Sequence, residues 1–429
     1  GNKAVFANTS DYRGATIRYV PAGDYYVLVY QIYSSSSSRY LRARTATVAA
    51  NGTITLGNET NVNGTRKVQE YTSVYDPDQE KVLIMYTDAE SGYYVKTRYA
   101  YSTDGTNLSF GNNTTVTSSG TAQNLAVAYN KGINKFMMAY KLSDYYRVRV
   151  GTGSSNSVSW TGETTVESNE VENILIAADD TSSFVCYWRD KSGGSDNNQP
   201  AMRGVSVSGT TPSVGSKTVL STRELQGNPP KMYLGFHEAL NRFIIMYNVD
   251  VDGTKMKVLS ISGNTITSGN EVGFSSTNAA PFGSMEYDED LEELFLYYAD
   301  GENNGYSHLQ VRKLEIINET SNAPGQISVH SKYEIIAESA ASTTNDNYNK
   351  GGEGLTRTGV GPTHSLITYR YQSDDKGYVK AVAVKSKTSN MTATNYLGIS
   401  QAAYSNSNTA TIQTIGALNE GQSSLTPGS

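Results

Sequence analysis

The chain alternates between short apolar runs and polar segments rich in Gly, Asn, Ser and Thr, and no helical pattern extends beyond two turns. An apolar run ending in tyrosine recurs seven times, with its final tyrosines 47 to 71 residues apart. The runs cover residues 27–30, 82–86, 136–140, 184–187, 243–247, 294–298 and 366–369. This period is near that of propeller blades, in which each repeat buries its faces against its neighbours. The pattern therefore predicts seven repeated β units.

Each unit is predicted to contain four strands, as the second unit illustrates. Its strands are expected at residues 70–75, 81–87, 93–101 and 108–116, with turns at 76–78 and 102–105. The second strand is continuously apolar, which is typical of a strand covered on both faces, whereas the third alternates. Asp-Pro-Asp and Asp-Gly in the turns supply the backbone dihedral angles that tight connections need.

A glycine-led motif marks the end of five units and also opens the chain. It covers residues 57–62, 111–116, 162–166, 215–219 and 269–272, and residues 1–6 have the same form. The last unit has its second strand at 365–370 and its third at 378–387, but no fourth strand follows. Residues 2–6 are therefore predicted to complete that unit, because this pairing removes two sheet edges that otherwise invite aggregation.

The predicted fold is an all-β, seven-bladed β-propeller with four-stranded blades, in which the N-terminal strand closes the last blade. The propeller is expected to span residues 1–388. A small C-terminal β module is expected at residues 389–429, where the sequence changes to two short strands and a Gly/Pro-rich loop. The module stops where another strand is expected, so it is predicted to be truncated.

Composition narrows the possible functions. The formal net charge of −6 disfavours nucleic-acid binding, and no apolar run is long enough to span a membrane. The single cysteine, Cys186, excludes a disulfide framework. The four histidines lack metal-ligand spacing, and neither a phosphate-binding glycine loop nor a nucleophile elbow occurs. We therefore expect no metal, no cofactor and no enzymatic activity.

The loops between second and third strands share one face of the ring with the links between units, and these loops vary in length. Variable loops on a rigid scaffold are where binding usually occurs. At this face an Asp follows most second strands, and a Tyr opens five third strands. These residues are Asp88, Asp144, Asp190, Asp250, Asp300 and Asp374, and Tyr40, Tyr94, Tyr146, Tyr306 and Tyr378.

Two interpretations of these residues stay open. In the first they are loop chemistry, with Asp bonding its own backbone and Tyr covering a blade edge. In the second they contact glycan, since carboxylates accept paired sugar hydroxyls and tyrosine rings stack on sugar C–H faces. The candidate glycan-binding residues are Tyr94, Tyr146, Tyr306, Tyr378, Asp88, Asp190 and Asp300.

Basic residues of the third strands also allow two interpretations. They either attract an acidic polysaccharide or form a solvated outer strand face. The residues concerned are Arg42, Arg44, Lys96, Arg98, Arg147, Arg149, Lys255 and Lys257.

The C-terminal segments 395–404, 410–417 and 419–428, together with the blade pattern at 75–88, resemble the repetitive tail-fibre and appendage proteins of marine tailed bacteriophages, cyanophages among them. The resemblance implies a virion structural protein, displayed outside the capsid or tail as a tail or head fibre, that contacts the host surface. It carries over no catalytic residues, because the family pattern is structural.

We therefore expect a non-enzymatic virion appendage, exposed on the virion surface, that recognises host cell-surface polysaccharide. The resemblance implies attachment to other virion proteins through the C-terminal module, and homo-oligomers are expected; membrane insertion is not. A sialidase-like, glycoside-active enzyme is one alternative, favoured by a central pocket with convergent carboxylates and arginines. A purely structural filament or adhesion protein is the other, favoured by oligomer contacts across the Asp- and Tyr-bearing face.

Overall fold

The computed structural model describes residues 3–7, 12–35, 38–64, 66–117, 120–192, 198–225, 232–249, 253–275, 282–289, 291–303, 306–319, 324–331, 333–340, 357–360, 364–370, 376–382, 399–400 and 412–413. The chain divides into two compact units, Gly1–Val382 and Ala383–Ser429. The first unit is a seven-bladed β-propeller of antiparallel sheets, as the repeat predicts.

Strand β1 (Lys3–Ala7) opens the chain, and blades 1 to 3 follow it. Blade 1 contains β2 (Tyr12–Val20), β3 (Tyr25–Ser35), β4 (Ser38–Val48), β5 (Ile54–Leu56) and β6 (Thr60–Asn61). Blade 2 contains β7 (Val68–Asp76), β8 (Lys81–Asp88), β9 (Tyr94–Tyr101), β10 (Ser109–Phe110) and β11 (Thr114–Thr115). Blade 3 contains β12 (Ala122–Asn130), β13 (Lys135–Leu142), β14 (Tyr145–Gly153), β15 (Val158–Trp160) and β16 (Thr164–Glu167). Two 3₁₀ turns, η1 (Pro21–Gly23) and η2 (Ala89–Ser91), lie between strands of blades 1 and 2.

Blades 4 to 6 repeat this arrangement, and blade 7 lacks its own last strand. Blade 4 contains β17 (Val171–Ala178), β18 (Ser183–Asp190), β19 (Gln199–Ser208), β20 (Thr211–Val214) and β21 (Thr218–Val219). Blade 5 contains β22 (Met232–His237), β23 (Arg242–Val249), β24 (Gly253–Ser262), β25 (Thr265–Ser268) and β26 (Val272–Ser275). Blade 6 contains β27 (Phe282–Asp288), β28 (Glu293–Asn303), β29 (Tyr306–Ile317), β30 (Gln326–Val329) and β31 (Tyr333–Ala340). Blade 7 contains β32 (Arg357–Val360), β33 (Ser365–Arg370) and β34 (Gly377–Val382).

The N-terminal strand closes the ring, which confirms the prediction from the opening hexapeptide. Strand β1 pairs with β34, with Lys3 opposite Lys380 and Val5 opposite Tyr378. Phe6 is buried and meets the Tyr30 ring of blade 1 edge-on, with the ring centroids 5.0 Å apart. The first and last repeats of the chain therefore share one apolar core.

The predicted fourth strand is in fact two short strands separated by a break, which falls at the motif glycine in blades 1, 2, 4 and 5. At the break in blade 1, the Gly57 N–H still donates to Thr45 O at 2.9 Å, and β5 and β6 flank it along β4. The prediction of one continuous strand at 108–116 is corrected in the same way, to β10 and β11.

The glycine of the motif is explained by the next blade. A Cβ on Gly111 would lie 2.5 Å from the main-chain oxygen of Asn156, which belongs to the β14–β15 turn of blade 3. The following residue uses that oxygen, since the Asn112 N–H donates to Asn156 O at 2.9 Å. A Cβ on Gly57, Gly215 or Gly269 would lie even closer, 2.0 to 2.3 Å, to a main-chain oxygen of the next blade. The repeated Gly is thus a close approach between blades.

Most of the core lies between blades, not within them. Val27 and Val29 of blade 1 share a cluster with Val82 and Ile84 of blade 2, and all four are fully buried. Burying one such side chain stabilises the fold by about 1.5–3 kcal/mol, so a single blade has little stability alone. The apolar second strands supply both faces of this packing.

In the second unit, β35 (Ile399–Ser400) pairs with β36 (Ile412–Gln413). These strands lie within the two stretches where the sequence predicts short strands. Across the part of the chain that the structure describes, no helix is long and apolar enough to cross a membrane.

Candidate functional site

The propeller has two faces, which we name by their connections. The link face carries the loops between second and third strands, such as η2, and the links between blades. The hairpin face carries the turns between first and second strands and between third and fourth strands. The predicted Asp and Tyr residues that the structure describes belong to the link face, whereas Asp250 and Asp374 lie outside the described residues.

Asp88 and Asp190 are fully buried and hold their loops in place. Asp88 accepts from Lys96 Nζ at 2.6 Å and lies 2.9 Å from Arg66 Nε, and it also caps η2 through Glu90 N. Burial acts to raise the pKa of Asp88, but the bond and charge of Lys96 outweigh it and keep that pKa below its usual value. Asp190 pairs with Lys217 and accepts from Ser192 N. Loop chemistry therefore accounts for both carboxylates.

The predicted tyrosines differ in position. Tyr146 is fully buried, and its hydroxyl donates to Leu175 O at 2.9 Å. Tyr378 is half-buried and stacks on Tyr369 with the ring centroids 5.7 Å apart. Tyr94 is half-buried at the start of β9. For Tyr306 and Asp300 the structure describes the backbone alone, in β29 and β28, and their side chains lie outside the described part.

The strand register identifies a tyrosine that the sequence pattern misses. Tyr94 is opposite Asp88 at the end of the second strand, and in blade 3 this position belongs to Tyr145, opposite Leu142. Tyr145 is 38% exposed, so its ring reaches solvent where that of Tyr146 does not. Because side chains alternate along a strand, this one-residue difference decides which face the ring takes. The sequence does contain a signal for Tyr145, because Tyr145-x-Arg147 has the same Tyr-x-basic spacing as Tyr94-x-Lys96.

Blades 1, 2 and 3 carry the same set of side chains around this tyrosine, which we call the tyrosine–cation set. It consists of a tyrosine, a cation two residues later, a carboxylate or amide after the strand break, and a polar residue directly across the ladder from the cation. The members are Tyr40, Arg42, Glu59 and Asn61 in blade 1, Tyr94, Lys96, Asn113 and Thr115 in blade 2, and Tyr145, Arg147, Glu163 and Thr165 in blade 3.

Among the three sets, that of blade 3 has the most exposed tyrosine ring, and its members contact one another. The Arg147 guanidinium carbon lies 5.1 Å from the centroid of the Tyr145 ring, within cation–π range. Arg147 also donates to Thr165 Oγ1 and places Nε 3.5 Å from Glu163 Oε1. The Tyr140 hydroxyl donates to Glu163 Oε2 at 2.7 Å and holds that carboxylate in place. An aromatic face, N–H donors and carboxylate acceptors thus meet at one place.

The cations of the set are already accompanied by carboxylates. Arg42 lies 3.8 Å from Glu59, Lys96 bonds Asp88, and Arg147 lies beside Glu163. In blade 3 the Glu163 carboxylate is shared, because Arg149 Nη2 also lies 3.8 Å from it.

The next basic residue along each third strand has a structural role, which corrects the alternative of a solvated outer face. Arg98 is half-buried and donates to Gly111 O at the strand break and to Val62 O of the preceding blade, at 3.1 and 2.5 Å. Arg44 donates in the same way to Gly57 O and to Phe6 O of blade 7. Lys96 lies on the same face of β9 as Arg98, which reaches the preceding blade. The tyrosine–cation set therefore faces the groove between its own blade and the preceding one.

Blades 4 and 5 lack the tyrosine of the set, although blade 5 keeps a cation and a carboxylate at the equivalent positions, Lys255 and Glu271. Gln199 and Gly253 occupy the tyrosine position, opposite Asp190 and Val249. In blade 4, Trp188 lies opposite Ala201, at the register where buried tyrosines of blades 2 and 3 lie opposite Lys96 and Arg147. Trp188 therefore replaces the tyrosine that ends the apolar run in those blades. The tyrosine–cation set is thus confined, among the side chains described, to three consecutive blades.

A cavity of about 240 Å³ lies on the ring axis, between the first strands of six blades. Blades 3, 4 and 5 contribute an apolar wall that includes Leu125, Val127, Ile176, Met232 and Leu234. Blades 1, 2 and 6 contribute Arg18, Thr72, Ser284 and Glu286. Glu286 is the one carboxylate among the described residues that line it.

At the hairpin face an ion-pair cluster crosses the ring axis. Lys131, in the turn of blade 3, reaches Glu238 of blade 5 at 2.8 Å and Glu289 of blade 6 at 2.7 Å. Burial acts to lower the pKa of Lys131, but the bonds to both carboxylates outweigh it and raise that pKa above its usual value. The cluster therefore covers the axis at this end. No group of acidic, His or Cys side chains able to hold a metal occurs in the described residues.

Comparison with solved structures finds this fold in proteins of remote sequence. A protein of Bacteroides uniformis described as a candidate 6-phosphogluconolactonase is 9% identical, with a TM-score of 0.51 over 75% of this chain and 85% of that chain. AofleA from Arthrobotrys oligospora is 10% identical, with a TM-score of 0.48 over 80% and 90% of the two chains. A protein of unknown function from Dyadobacter fermentans is 12% identical, with a TM-score of 0.48 over 89% and 98%.

At these identities the similarity to solved structures concerns the fold alone. No protein-family model matches the chain, and no curated protein matches it.

Proposed function

We propose that the propeller is a non-enzymatic carbohydrate-recognition module that binds glycan at the tyrosine–cation sets of blades 1, 2 and 3. The observation that carries the proposal is the recurrence of this set at one register position in three consecutive blades. The blade itself does not require the tyrosine of the set, since blades 4 and 5 form with Gln199 and Gly253 at the tyrosine position. Repeated side chains that the fold does not need indicate a binding role.

The chemistry of the set suits a sugar ring. Such a ring has an apolar C–H face, for which the exposed Tyr145 ring is a stacking partner, and hydroxyls that both donate and accept. Arg147 supplies N–H donors and Glu163 supplies acceptor oxygens within the same groove. Because each cation of the set already has a carboxylate partner, we expect neutral, hydroxyl-rich sugars to bind more tightly than acidic ones.

Three adjacent sites also favour a polymer over a monosaccharide. Individually weak sites on one rigid ring act together once a chain binds the first of them. The setting we propose is the one that the sequence resemblance implies, a tail or head fibre on the virion surface that contacts host polysaccharide. The C-terminal module would attach it to other virion proteins.

The direct test is a glycan array with the purified protein, followed by titration of the strongest ligand against variants. We expect Tyr145→Ala and Tyr94→Ala to weaken binding about tenfold each, since loss of a central aromatic contact costs about 1.4 kcal/mol or more. Tyr146→Ala is not a clean variant, because that ring belongs to the core.

Tyr101→Ala is the matched control, because Tyr101 is a half-exposed tyrosine at the other end of β9, on the hairpin face. Binding should be unchanged in this variant. Glycan binding that survives Tyr94→Ala together with Tyr145→Ala would refute the proposed sites. Binding confined to acidic polysaccharides, and lost as salt concentration rises, would refute the preference for neutral sugars.

A further inference from the structure

A buried histidine lies in the joint between blades 5 and 6 at the hairpin face. His237 ends β22 and is 5% exposed. Its ring packs against the ring of Tyr287, which belongs to the first strand of blade 6, with the ring centroids 5.0 Å apart. We propose that His237 makes this joint acid-sensitive: the neutral ring holds the two blades together, and a proton taken up at mildly acidic pH loosens them.

The histidine occupies a position that other blades use to close their own turn. The residue opposite the start of the second strand is Asp76 in blade 2 and Asn130 in blade 3, and each accepts from a main-chain N–H of its turn. In blade 5 this residue is His237. The turn N–H of Ala239 instead donates to the Tyr287 hydroxyl at 3.2 Å. Blade 6 thus completes the turn of blade 5, and His237 and Tyr287 form one contact between the blades.

The blades approach closely beside the histidine, so its ring has little room to turn toward water. Gly235 lies two residues earlier on the same face of β22, and a Cβ there would be 2.8 Å from Met285 Cβ of blade 6. The Nδ1 atom of His237 is buried and has no hydrogen-bond partner in another residue. Burial lowers the pKa of His237 below its usual value and outweighs its own main-chain group and the charge of Glu319, which act to raise that pKa.

The carboxylates around the joint already have cationic partners. On the turn of blade 5 and on blade 6, the ion pairs are Arg242–Glu319, Lys313–Glu293 and Lys131–Glu238. Glu292 of blade 6 is exposed, where water and salt screen its charge. Arg242 lies directly opposite His237 in the ladder, so a proton on His237 adds a second positive charge next to an existing one.

Acid should weaken this joint, because a lowered histidine pKa stabilises the fold above the unfolded value of about 6.5 and the contribution is lost as pH falls below it. His330 of blade 6 is the opposite case. It is exposed and lies 2.8 Å from Glu315, so its protonation forms an ion pair. The joint is on the hairpin face of blades 5 and 6, away from the glycan sites of blades 1 to 3, and its behaviour does not depend on the proposed function.

Hydrogen exchange of the full chain, followed by mass spectrometry at about pH 7.5 and about pH 5.5, tests the proposal. The comparison is His237→Asn, because Asn130 serves at the equivalent position of blade 3. We expect the ratio of parent to variant exchange rates in β22 and β27 to rise about threefold or more from the higher to the lower pH. A ratio that does not change with pH would overturn the proposal.

His330→Asn is the matched control, and for this variant the ratio in β22 and β27 should be the same at both pH values. NMR titration of the histidine rings in the parent gives a second measurement that does not require His237→Asn to fold. The proposal requires the His237 ring to titrate below about 6.5, and titration at or above that value would contradict it.

Discussion

At the scale of single residues, one-position differences decide what a side chain does. Tyr145 reaches solvent beside Arg147, whereas Tyr146 packs edge-on against Trp188 in the core, with the ring centroids 5.5 Å apart. In blade 4, Lys217 stands two residues after the break glycine, where blade 1 has Glu59, and it bonds Asp190. In blade 3 a tyrosine hydroxyl bonds the carboxylate at this position, as Tyr140 does with Glu163. Blade 4 has the Lys217–Asp190 ion pair instead.

The turn at residues 102–107 makes a residue-scale prediction, because Asp104 organises it. Its carboxylate accepts from the backbone N–H groups of Asn107 at 2.7 Å and Thr106 at 2.8 Å, and from the Asn107 side chain. These bonds hold the pKa of Asp104 below its usual value. A lowered carboxyl pKa stabilises the fold above the unfolded value of about 3.9, and this contribution is lost as pH falls further.

We therefore expect Asp104→Ala to lower the unfolding temperature at pH 7, and the difference from the parent to shrink as pH falls below about 4. Thermal unfolding followed by circular dichroism across this range measures it. Thr103→Ala, a change of an exposed residue in the same turn, is the control and should keep the parent profile. A difference that stays constant from neutral to acid pH would show that the carboxylate charge is not involved.

At the scale of elements, the broken fourth strand is the device that joins blades. The break glycine admits a main-chain oxygen of the next blade, and an arginine of the third strand, such as Arg98, donates to the carbonyl at the break. In blade 3 the position belongs to Thr161, whose N–H donates to Val150 O, and Gly162 follows it. Gly162 therefore lies one residue after the break position, although the sequence motif aligns it with the break glycines of the other blades.

This displacement gives a prediction with a built-in control. Gly111→Ala places a methyl group 2.5 Å from Asn156 O, so the blades must separate, and we expect a loss of about 1–3 kcal/mol in unfolding free energy. Gly162→Ala meets no atom within 4 Å and should change stability by about 0.5 kcal/mol or less. Urea denaturation of both variants measures the difference. Equal losses would mean that the close approach is not what the motif glycine serves.

At the scale of the whole molecule, stability depends on closure of the ring. The contact that joins blade 1 to blade 2, from Arg98 to Val62 O, recurs between blade 1 and blade 7, from Arg44 to Phe6 O. The interface formed by the N-terminal strand is therefore equivalent to an interface within the chain. The Lys131 cluster adds a second connection across the axis, between blades 3, 5 and 6.

Truncation of Phe6 tests the importance of closure. Phe6 is 1% exposed between blades 7 and 1, so we expect Phe6→Ala to cost about 3–5 kcal/mol of unfolding free energy. Val5 is 37% exposed in the same strand, and Val5→Ala should cost about 0.5 kcal/mol or less. Denaturant unfolding of the two variants provides the comparison. A small cost for Phe6→Ala would indicate that the propeller is stable without its closing strand.

The sequence by itself determined the number of blades, the apolar second strands and the closing role of residues 2–6. These follow from hydrophobic periodicity and from the need to bury each blade between neighbours, and both are properties of the chain pattern. The sequence also indicated which face carries the Asp and Tyr residues. It predicted seven glycan-contact candidates, and of these Asp88, Asp190 and Tyr146 are fully buried in the structure.

Only the tertiary structure decided the register of each strand, and with it the composition of the candidate site. A shift of one residue sends a side chain to the opposite face, so the Tyr-x-basic spacing only suggests Tyr145 over Tyr146, and the pairing with β13 decides between them. The axial cavity depends on the structure for the same reason. Arg18 and Glu286 lie far apart in the chain, and they line the same cavity because ring closure brings the first strands together around one axis.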